Sequence, residues 1–391
     1  MVNMNCSPFM PRKRAICQMR WIIFGGAGLQ ARRTSAMGSL QMIFDRALHC
    51  IDQLGEESRS RYVDFVLMAG TSMLQIGEFS RIAPHFAQAL EIARLQDRPE
   101  KTCGTLCQLA TIRWFEGRFD EGLAYSRLAL TSARQLNSIP HIFAAQLVHA
   151  LLLWITSDVA SAIRLLGDMR AMLTGDLEFA RLGATAVPSA MVRVFLAWTL
   201  MDTGHVEEAL VSGNEAKDIA ERADDPYAKA LADSVRGACL LMLGCDEEAR
   251  GSLSAALIQC DRNGYDTSRA TVLGHYSVAL ARTGEITRAL EMCRRGLAAI
   301  AEGRTGQVEC FYALNGVAEA LLRADEIAEG LATIDRAVEL AEKLKSRSLH
   351  CRGLATRIRL LEQARPDAAQ LVQDRAQLHR LAQEFDLDTW L

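Results

Sequence analysis

The stretch that most resembles a nucleotide-binding motif lies near the start of the chain, where glycines follow a short apolar run. Residues 21–24 are typical of a strand, and Gly26 and Gly28 begin a Gly-x-Gly-x-x-Ala spacing directly after it. In a dinucleotide-binding turn such glycines let the backbone approach a pyrophosphate. That turn works only inside a βαβ unit, and the sequence from Leu40 onward supplies no second parallel strand. We therefore expect no cofactor here, and a helix that starts near Leu29.

Two cysteines, Cys103 and Cys107, have the spacing of metal ligands on one face of a helix. A structural zinc site needs four ligands, and no further cysteine or histidine pair nearby completes the set. Packing is the favoured interpretation, because a free cysteine behaves as a small hydrophobic residue. The 11 cysteines are scattered singly, which favours a reducing cytoplasm, and the 8 histidines have no partner of the catalytic type at short range. We predict neither a metal site nor a catalytic residue.

The overall composition favours helices and excludes two classes of partner. Half of the residues are apolar, only 6% are aromatic, and there are 8 prolines. The 44 basic residues are balanced by 47 acidic ones, so no basic field for nucleic acid is expected. The longest strongly apolar stretch, residues 144–155, is shorter than the roughly 20 residues of a membrane span. Residues 1–26 are predicted to be a poorly ordered basic segment that is not an export signal.

A repeat of about 40 residues runs through most of the chain. Turns of the form Leu-x-x-Gly-x-φ-x-x-Ala recur at Gly77, Gly117, Ser157, Gly204, Gly244, Gly284 and Asp325. Apolar residues between the turns keep helical spacing, so each unit is predicted to be a helix A, a short turn and a helix B. The repeats are expected over residues 27–365, with an inserted loop at about 174–188 and a capping helix at 366–391.

Small side chains recur where helices A and B would cross. At positions seven before, five after and twelve after each turn, 19 of the 21 residues are Gly, Ala or Ser. Helix axes approach to about 8–10 Å, and small residues are needed at the closest crossings. Ala249 and Ala289 are examples of these crossing residues. The pattern predicts an all-α solenoid built from antiparallel helix pairs.

This pattern resembles the tetratricopeptide repeat (TPR). The likeness rests on the small crossing residues and on the turn motif at residues 204–210 and 284–290. The units are longer than the 34 residues of that family and lack the proline that commonly closes helix B, so we expect longer helices. The resemblance implies a TPR-like right-handed superhelix whose A helices line a concave groove.

The run of units also looks like the C-terminal repeat region of bacterial proteins that join a class III adenylate/guanylate cyclase to an AAA-like ATPase. That likeness rests on residues 44–48, 54–58, 74–79, 186–191 and 197–204. The sequence contains no Gly-x4-Gly-Lys-Ser/Thr phosphate loop and no alternating strand pattern for a cyclase domain. No catalytic residue of that family has an equivalent in this sequence, and the chain is not expected to be an enzyme.

Groove positions of the TPR family, carried onto this sequence, give the candidates for partner binding. They are Asp64, Gln75, Trp114, Trp198, Asp202, Arg282, Asn315, Glu319 and Arg323. Trp114, Trp154 and Trp198 fit an aromatic peptide groove and core packing equally well.

The expected function is a cytoplasmic, non-catalytic module that binds a protein or peptide in bacterial signalling linked to a cyclase or ATPase. The alternatives are the sensor arm of a transcriptional activator and a fragment of an adenylate cyclase-type enzyme.

Overall fold

The computed structural model describes Phe44, Leu48 and residues 57–156, 158–184, 186–364 and 369–385. These residues form sixteen α-helices and one 3-10 turn, Gly175–Leu177, without a strand. The α-helices are α1 (Glu57–Gln75), α2 (Phe79–Leu95), α3 (Pro99–Glu116), α4 (Phe119–Leu136), α5 (Ile139–Ile155), α6 (Val159–Met172), α7 (Pro188–Asp202), α8 (Val206–Arg222), α9 (Pro226–Met242), α10 (Asp246–Asn263), α11 (Asp266–Arg282), α12 (Ile286–Ala301), α13 (Gln307–Arg323), α14 (Ile327–Lys343), α15 (Arg347–Ala364) and α16 (Ala369–Phe385). The predicted all-α, TPR-like solenoid is confirmed. The glycine motif near residue 26 and the basic N-terminal segment lie outside the described residues.

Consecutive helices pack as A/B pairs, with the odd-numbered helices as A and the even-numbered helices as B. At the turns between A and B the backbone enters the left-handed region, as at Gly244 (φ 74°) and Asp325 (φ 61°). A residue in that conformation commonly ends a helix, which explains why glycine recurs at this position. The equivalent turn at Ser157 lies outside the described residues.

The crossing residues of the B helices are fully enclosed by their A helices. Ala209, Ala249 and Ala289 have no exposed surface. In the opposite direction, a methyl group on Gly237 of α9 would collide with the Leu253 side chain of α10. The small residues therefore lie where the paired helices approach each other most closely.

Neighbouring A helices also pack directly on each other, most intimately α11 on α13. A methyl group on Gly316 of α13 would lie 2.6 Å from the carbonyl carbon of Gly274 in α11. Conversely, a methyl group on Gly274 would lie 2.7 Å from the carbonyl oxygen of Ala313. These two glycines let the two backbones touch, and they are not among the crossing positions that the sequence pattern singled out.

The superhelix closes on itself instead of leaving an extended open groove. The Thr267 hydroxyl of α11 donates a hydrogen bond to the Gln75 carbonyl of α1 at 3.1 Å. Next to this contact, Arg304 forms an ion pair with Glu78 at 3.8 Å. Helix α3 likewise contacts α13. The first A helices thus meet the late ones, and the inner faces of the A helices surround a common interior space.

Candidate functional site

The inner faces of seven A helices surround a cavity of about 330 Å³. These helices are α1, α3, α5, α7, α9, α11 and α13. A volume of this size lies at the lower end of the range of about 300–1,000 Å³ for ligand sites. Eight aromatic side chains belong to its lining: Trp114, Phe115, Phe143, Trp154, Phe195, Trp198, Tyr227 and Tyr312. The A helices therefore surround a cavity rich in aromatic residues, which we call the central cavity.

The tryptophans of the central cavity serve both roles that the sequence left open. The Trp114 and Trp154 ring centres are 5.6 Å apart, and those of Trp198 and Tyr312 are 4.9 Å apart. All three tryptophans are buried in the core and also line the cavity. The rings of each pair pack against each other at a tilt, so the same side chains form part of the core and part of the cavity wall.

Glu309 brings a carboxyl group into this aromatic environment. It lies in the first turn of α13, and its Oε2 atom is buried without a hydrogen-bond partner. Burial raises the pKa of Glu309 to about 7, although hydrogen bonding by its own backbone and by Trp114 acts in the opposite direction. Among the described lining residues, Glu309 is the single aspartate or glutamate, and lysine, arginine and histidine are absent. The carboxyl group is an acceptor that no lining cation neutralises.

A buried ion-pair network holds the wall of the cavity from behind. Asp202 accepts hydrogen bonds from the Trp154 indole N–H at 2.9 Å and from the Tyr312 hydroxyl at 2.7 Å. Its other oxygen accepts a hydrogen bond from Arg352 at 2.9 Å. Burial raises the pKa of Asp202, while Arg352 and the hydrogen bonds oppose that shift. Asp202 therefore positions two aromatic rings of the cavity and ties α7 to α15.

His275 is a neutral neighbour of the same aromatic group. Its ring centre lies 5.8 Å from that of Trp198 and 6.2 Å from that of Tyr312. Burial lowers the pKa of His275 to about 4, and Arg352 adds to the effect. The imidazole therefore carries no charge near neutral pH and does not offset the Glu309 carboxylate.

The segment between α6 and α7 completes the cavity wall. Leu182, which has a left-handed backbone (φ 47°), lines the cavity together with the two residues that follow it. The segment is anchored by Asp225, whose Oδ2 atom accepts a hydrogen bond from the Val187 N–H at 2.8 Å and pairs with Arg181 at 3.2 Å. This insertion in the repeat pattern thus contributes directly to the cavity.

The structure divides the nine candidates for partner binding into three groups. Gln75, Trp114 and Trp198 line the central cavity. Asp202 lies behind the wall, in contact with residues that line it.

A second group forms a separate polar cluster. Glu319 pairs with Arg282 at 3.4 Å and accepts a hydrogen bond from the Asn315 amide at 3.3 Å. The Glu319 side chain also pairs with Arg359 at 3.0 Å. These residues connect α11, α13 and α15 and do not line the cavity.

The last two candidates lie away from both sites. Asp64 is half exposed and pairs with Lys101 at 2.7 Å. Arg323 is exposed in the last turn of α13. Binding by any of the nine residues stays a prediction.

Glu309 and Tyr312 are the lining residues whose absence from the candidates matters most. Tyr312 occupies a groove position of the repeat, thirteen residues before the turn at Asp325, so the signal for it was present. Glu309 lies one helical turn earlier, beyond the positions that the family pattern covers.

The cysteine pair lies in the core of α3. Cys103 and Cys107 are both buried, and the Cys103 thiol donates to the Ala129 carbonyl at 3.5 Å. The described residues contain no group of three or more His, Cys, Asp or Glu side chains placed to hold a metal ion. Within the same residues, no helix has the length and apolar character needed to cross a membrane.

This sequence matches no protein-family model and no curated protein. It is similar in structure to a Rap protein complexed with Competence and Sporulation Factor, at 12% identity and a TM-score of 0.65, over 97% of this chain and 99% of that one. A Rap conjugation gene regulator of plasmid pLS20 in complex with the Phr* peptide shares 15% identity, with a TM-score of 0.58 over 78% and 79% of the two chains. Aspartyl phosphate phosphatase F from Bacillus subtilis shares 12% identity, with a TM-score of 0.53 over 98% and 96%. At these identities the likeness establishes the fold alone.

Proposed function

We propose that this chain is a non-catalytic regulatory module whose ligand is a short peptide held in the central cavity. The observation that carries the proposal is the cavity itself, an aromatic-rich space of about 330 Å³ that seven A helices surround. A space of this size takes a few side chains of a short segment and not a folded domain. Large, packed aromatic rings bind apolar groups with little loss of side-chain freedom, which favours tight binding.

Two of the similar solved structures support a peptide as the ligand. One is a complex with the Phr* peptide, and the other is a complex with Competence and Sporulation Factor. In our proposal Gln75, Trp114 and Trp198 contact the peptide directly. Asp202 acts indirectly, as a positioning residue for two rings of the wall. The exposed Arg323 is the candidate for contact with a larger protein partner.

The link to a cyclase or an ATPase rests on the sequence pattern alone and stays a prediction. None of the three similar structures is described as a cyclase or an ATPase. The third is described as a phosphatase, but among the described lining residues the only candidate acid or base of the carboxylate or imidazole type is Glu309. The arrangement therefore favours binding over catalysis.

The proposal is tested by filling the cavity with a side chain. Ala144 lines the cavity and is exposed toward it, so Ala144→Trp places an indole in the space for the ligand. Ala87→Trp is the matched control, because Ala87 is an exposed residue of the B helix α2 that does not line the cavity. Each variant is incubated with a library of random pentapeptides, separated from unbound peptide by gel filtration and analysed by mass spectrometry.

We expect the wild-type chain and Ala87→Trp to retain the same set of peptides and Ala144→Trp to retain none. Three of the 5 tryptophans line the cavity, so binding of a retained peptide should also change the intrinsic fluorescence. A wild-type chain that retains no peptide, or an Ala144→Trp variant that retains the same peptides, would refute the proposal.

A further inference from the structure

The Glu309 carboxyl group differs from an ordinary acidic group at a helix N-terminus, because one of its oxygen atoms is buried and has no hydrogen-bond partner. Acidic residues are favoured in the first turn of any helix by the helix dipole. Glu329, at the same third position of α14, is such a residue and is exposed on the surface. In Glu309, by contrast, the Oε2 atom is buried and has no hydrogen-bond partner. A buried acceptor without a partner is costly, and a ligand that supplies a donor removes that cost.

Aromatic rings lie close to this free oxygen. A methyl group on Gly306 would collide with Oε2 of Glu309 and would lie 2.7 Å from Cδ1 of Phe115, so the two groups converge on one point. Trp114 of α3 is also close enough to the carboxyl group to lower its pKa. A carboxylate flanked by aromatic rings favours a cation, because it combines an ion pair with cation–π attraction.

The titratable groups near Glu309 do not neutralise its carboxylate. The nearby titratable groups are Cys107 of α3, Tyr227 of α9, and Cys310 and Tyr312 on α13 itself. Burial raises the pKa of the two tyrosines and of Cys310, and the hydrogen bond that the Cys107 thiol donates to Cys103, together with burial, raises the pKa of Cys107. All four groups are therefore uncharged near neutral pH.

Basic side chains close to this end of α13 are bound to other acids. Arg304, three residues before α13, pairs with Asp266 at 3.3 Å as well as with Glu78. Arg269 pairs with Glu302 at 3.2 Å. Neither arginine lines the cavity. The described residues therefore supply no cation to Glu309 inside the cavity, and the ligand is the source that we consider.

We propose that Glu309 anchors a positively charged group, the ammonium or guanidinium of a short peptide whose other side chains are apolar. This inference rests on the proposed function and specifies the chemistry of the peptide. The apolar side chains contact the rings of the wall, while the cation donates hydrogen bonds to the Glu309 carboxylate. An acidic peptide is excluded, because its carboxylate would face Glu309 without a compensating cation.

The test uses pentapeptides acetylated at the amino end and amidated at the carboxyl end, so that only side chains carry charge. Glu309→Gln keeps the shape of the side chain and removes the anion. Glu329→Gln makes the same change at the same helix position outside the cavity. Far-UV circular dichroism verifies that both variants are folded.

We expect the wild-type chain and Glu329→Gln to retain peptides enriched in lysine or arginine, and Glu309→Gln to retain peptides without that enrichment. For one retained lysine peptide, replacing lysine by norleucine should raise Kd by about 10-fold or more in the wild type and should leave it unchanged in Glu309→Gln. Lowering the pH from 8 to 6 should weaken binding of the lysine peptide to the wild type, because protonation removes the anion.

The two proposals fail in different ways. Retained peptides without a preference for cations would overturn the role of Glu309 and leave peptide binding in place. A preference for cationic peptides that persists in Glu309→Gln would likewise overturn the role of Glu309 and leave peptide binding in place. A wild-type chain that retains no peptide at all would overturn both proposals.

Discussion

The contact between α11 and α13 gives the sharpest prediction, through the substitution Gly316→Ala. The added methyl group would lie 2.6 Å from the carbonyl carbon and 2.8 Å from the carbonyl oxygen of Gly274. Carbon atoms in contact prefer a separation of about 3.5–4.0 Å, so the two helices must move apart by about 1 Å. The obstacle is backbone, which cannot rotate out of the way as a side chain can.

The magnitude follows from two opposing effects. Replacing glycine by alanine inside a helix gains about 0.8–1.0 kcal/mol of helix propensity. Overpacking of a close contact costs about 1–3 kcal/mol, and a backbone obstacle places the cost near the upper end. We therefore expect Gly316→Ala to lower the free energy of unfolding by about 2 kcal/mol.

Gly251→Ala is the matched control for this substitution. Gly251 is an exposed residue inside α10, and a methyl group placed on it would meet nothing within 4 Å. Only the gain in propensity remains there, so this variant should be more stable by about 0.5–1 kcal/mol.

The assay is urea unfolding followed by far-UV circular dichroism and by tryptophan fluorescence. The expected result is a lower midpoint for Gly316→Ala and a higher midpoint for Gly251→Ala. If Gly316→Ala is as stable as the wild type or more stable, the close approach of α11 and α13 is wrong. The same outcome would remove the geometric basis for placing Glu309 and Tyr312, both on α13, in the cavity wall.

Three further predictions follow from other contacts. Ala249→Leu should lower the free energy of unfolding by about 1–3 kcal/mol, because Ala249 is fully enclosed between α9 and α10; an unchanged urea midpoint would show that the predicted crossing position is wrong. Arg352→Met should cost about 3–5 kcal/mol at pH 7 by leaving the buried Asp202 carboxylate unpaired. Because burial raises the pKa of Asp202, the loss should shrink as the pH is lowered and the carboxylate is protonated; a loss independent of pH would contradict the ion pair. For Glu309, the folded-state pKa of about 7 exceeds the ordinary 4.5, so wild-type stability should fall as pH rises from about 4.5 to 7. Glu309→Gln should lack this fall and be more stable than the wild type by about 1–3 kcal/mol at pH 8 but not at pH 4, as measured by urea unfolding at both pH values.

The repeat pattern in the sequence identifies some of the residues that line the cavity. Trp114 and Trp198 fall at groove positions of a known repeat, because the inner face of helix A recurs at a fixed distance from each turn. Glu309 lies outside those positions, since its place in the cavity depends on how far α13 extends toward α3. The polar cluster around Glu319 shows the converse: groove positions of late repeats can be occupied by ion pairs between A helices.

The sequence by itself determined the helices, their pairing and the period of the repeat. These features depend on residues less than about one repeat apart, such as the alternation of apolar faces and the small residues at Ala249 and Ala289. The closure of the superhelix was decided only in three dimensions, because each repeat adds a small rotation and only their sum brings α1 to α11. The central cavity and the Asp202–Arg352 pair, which joins residues 150 positions apart, depend on that sum and have no local signal.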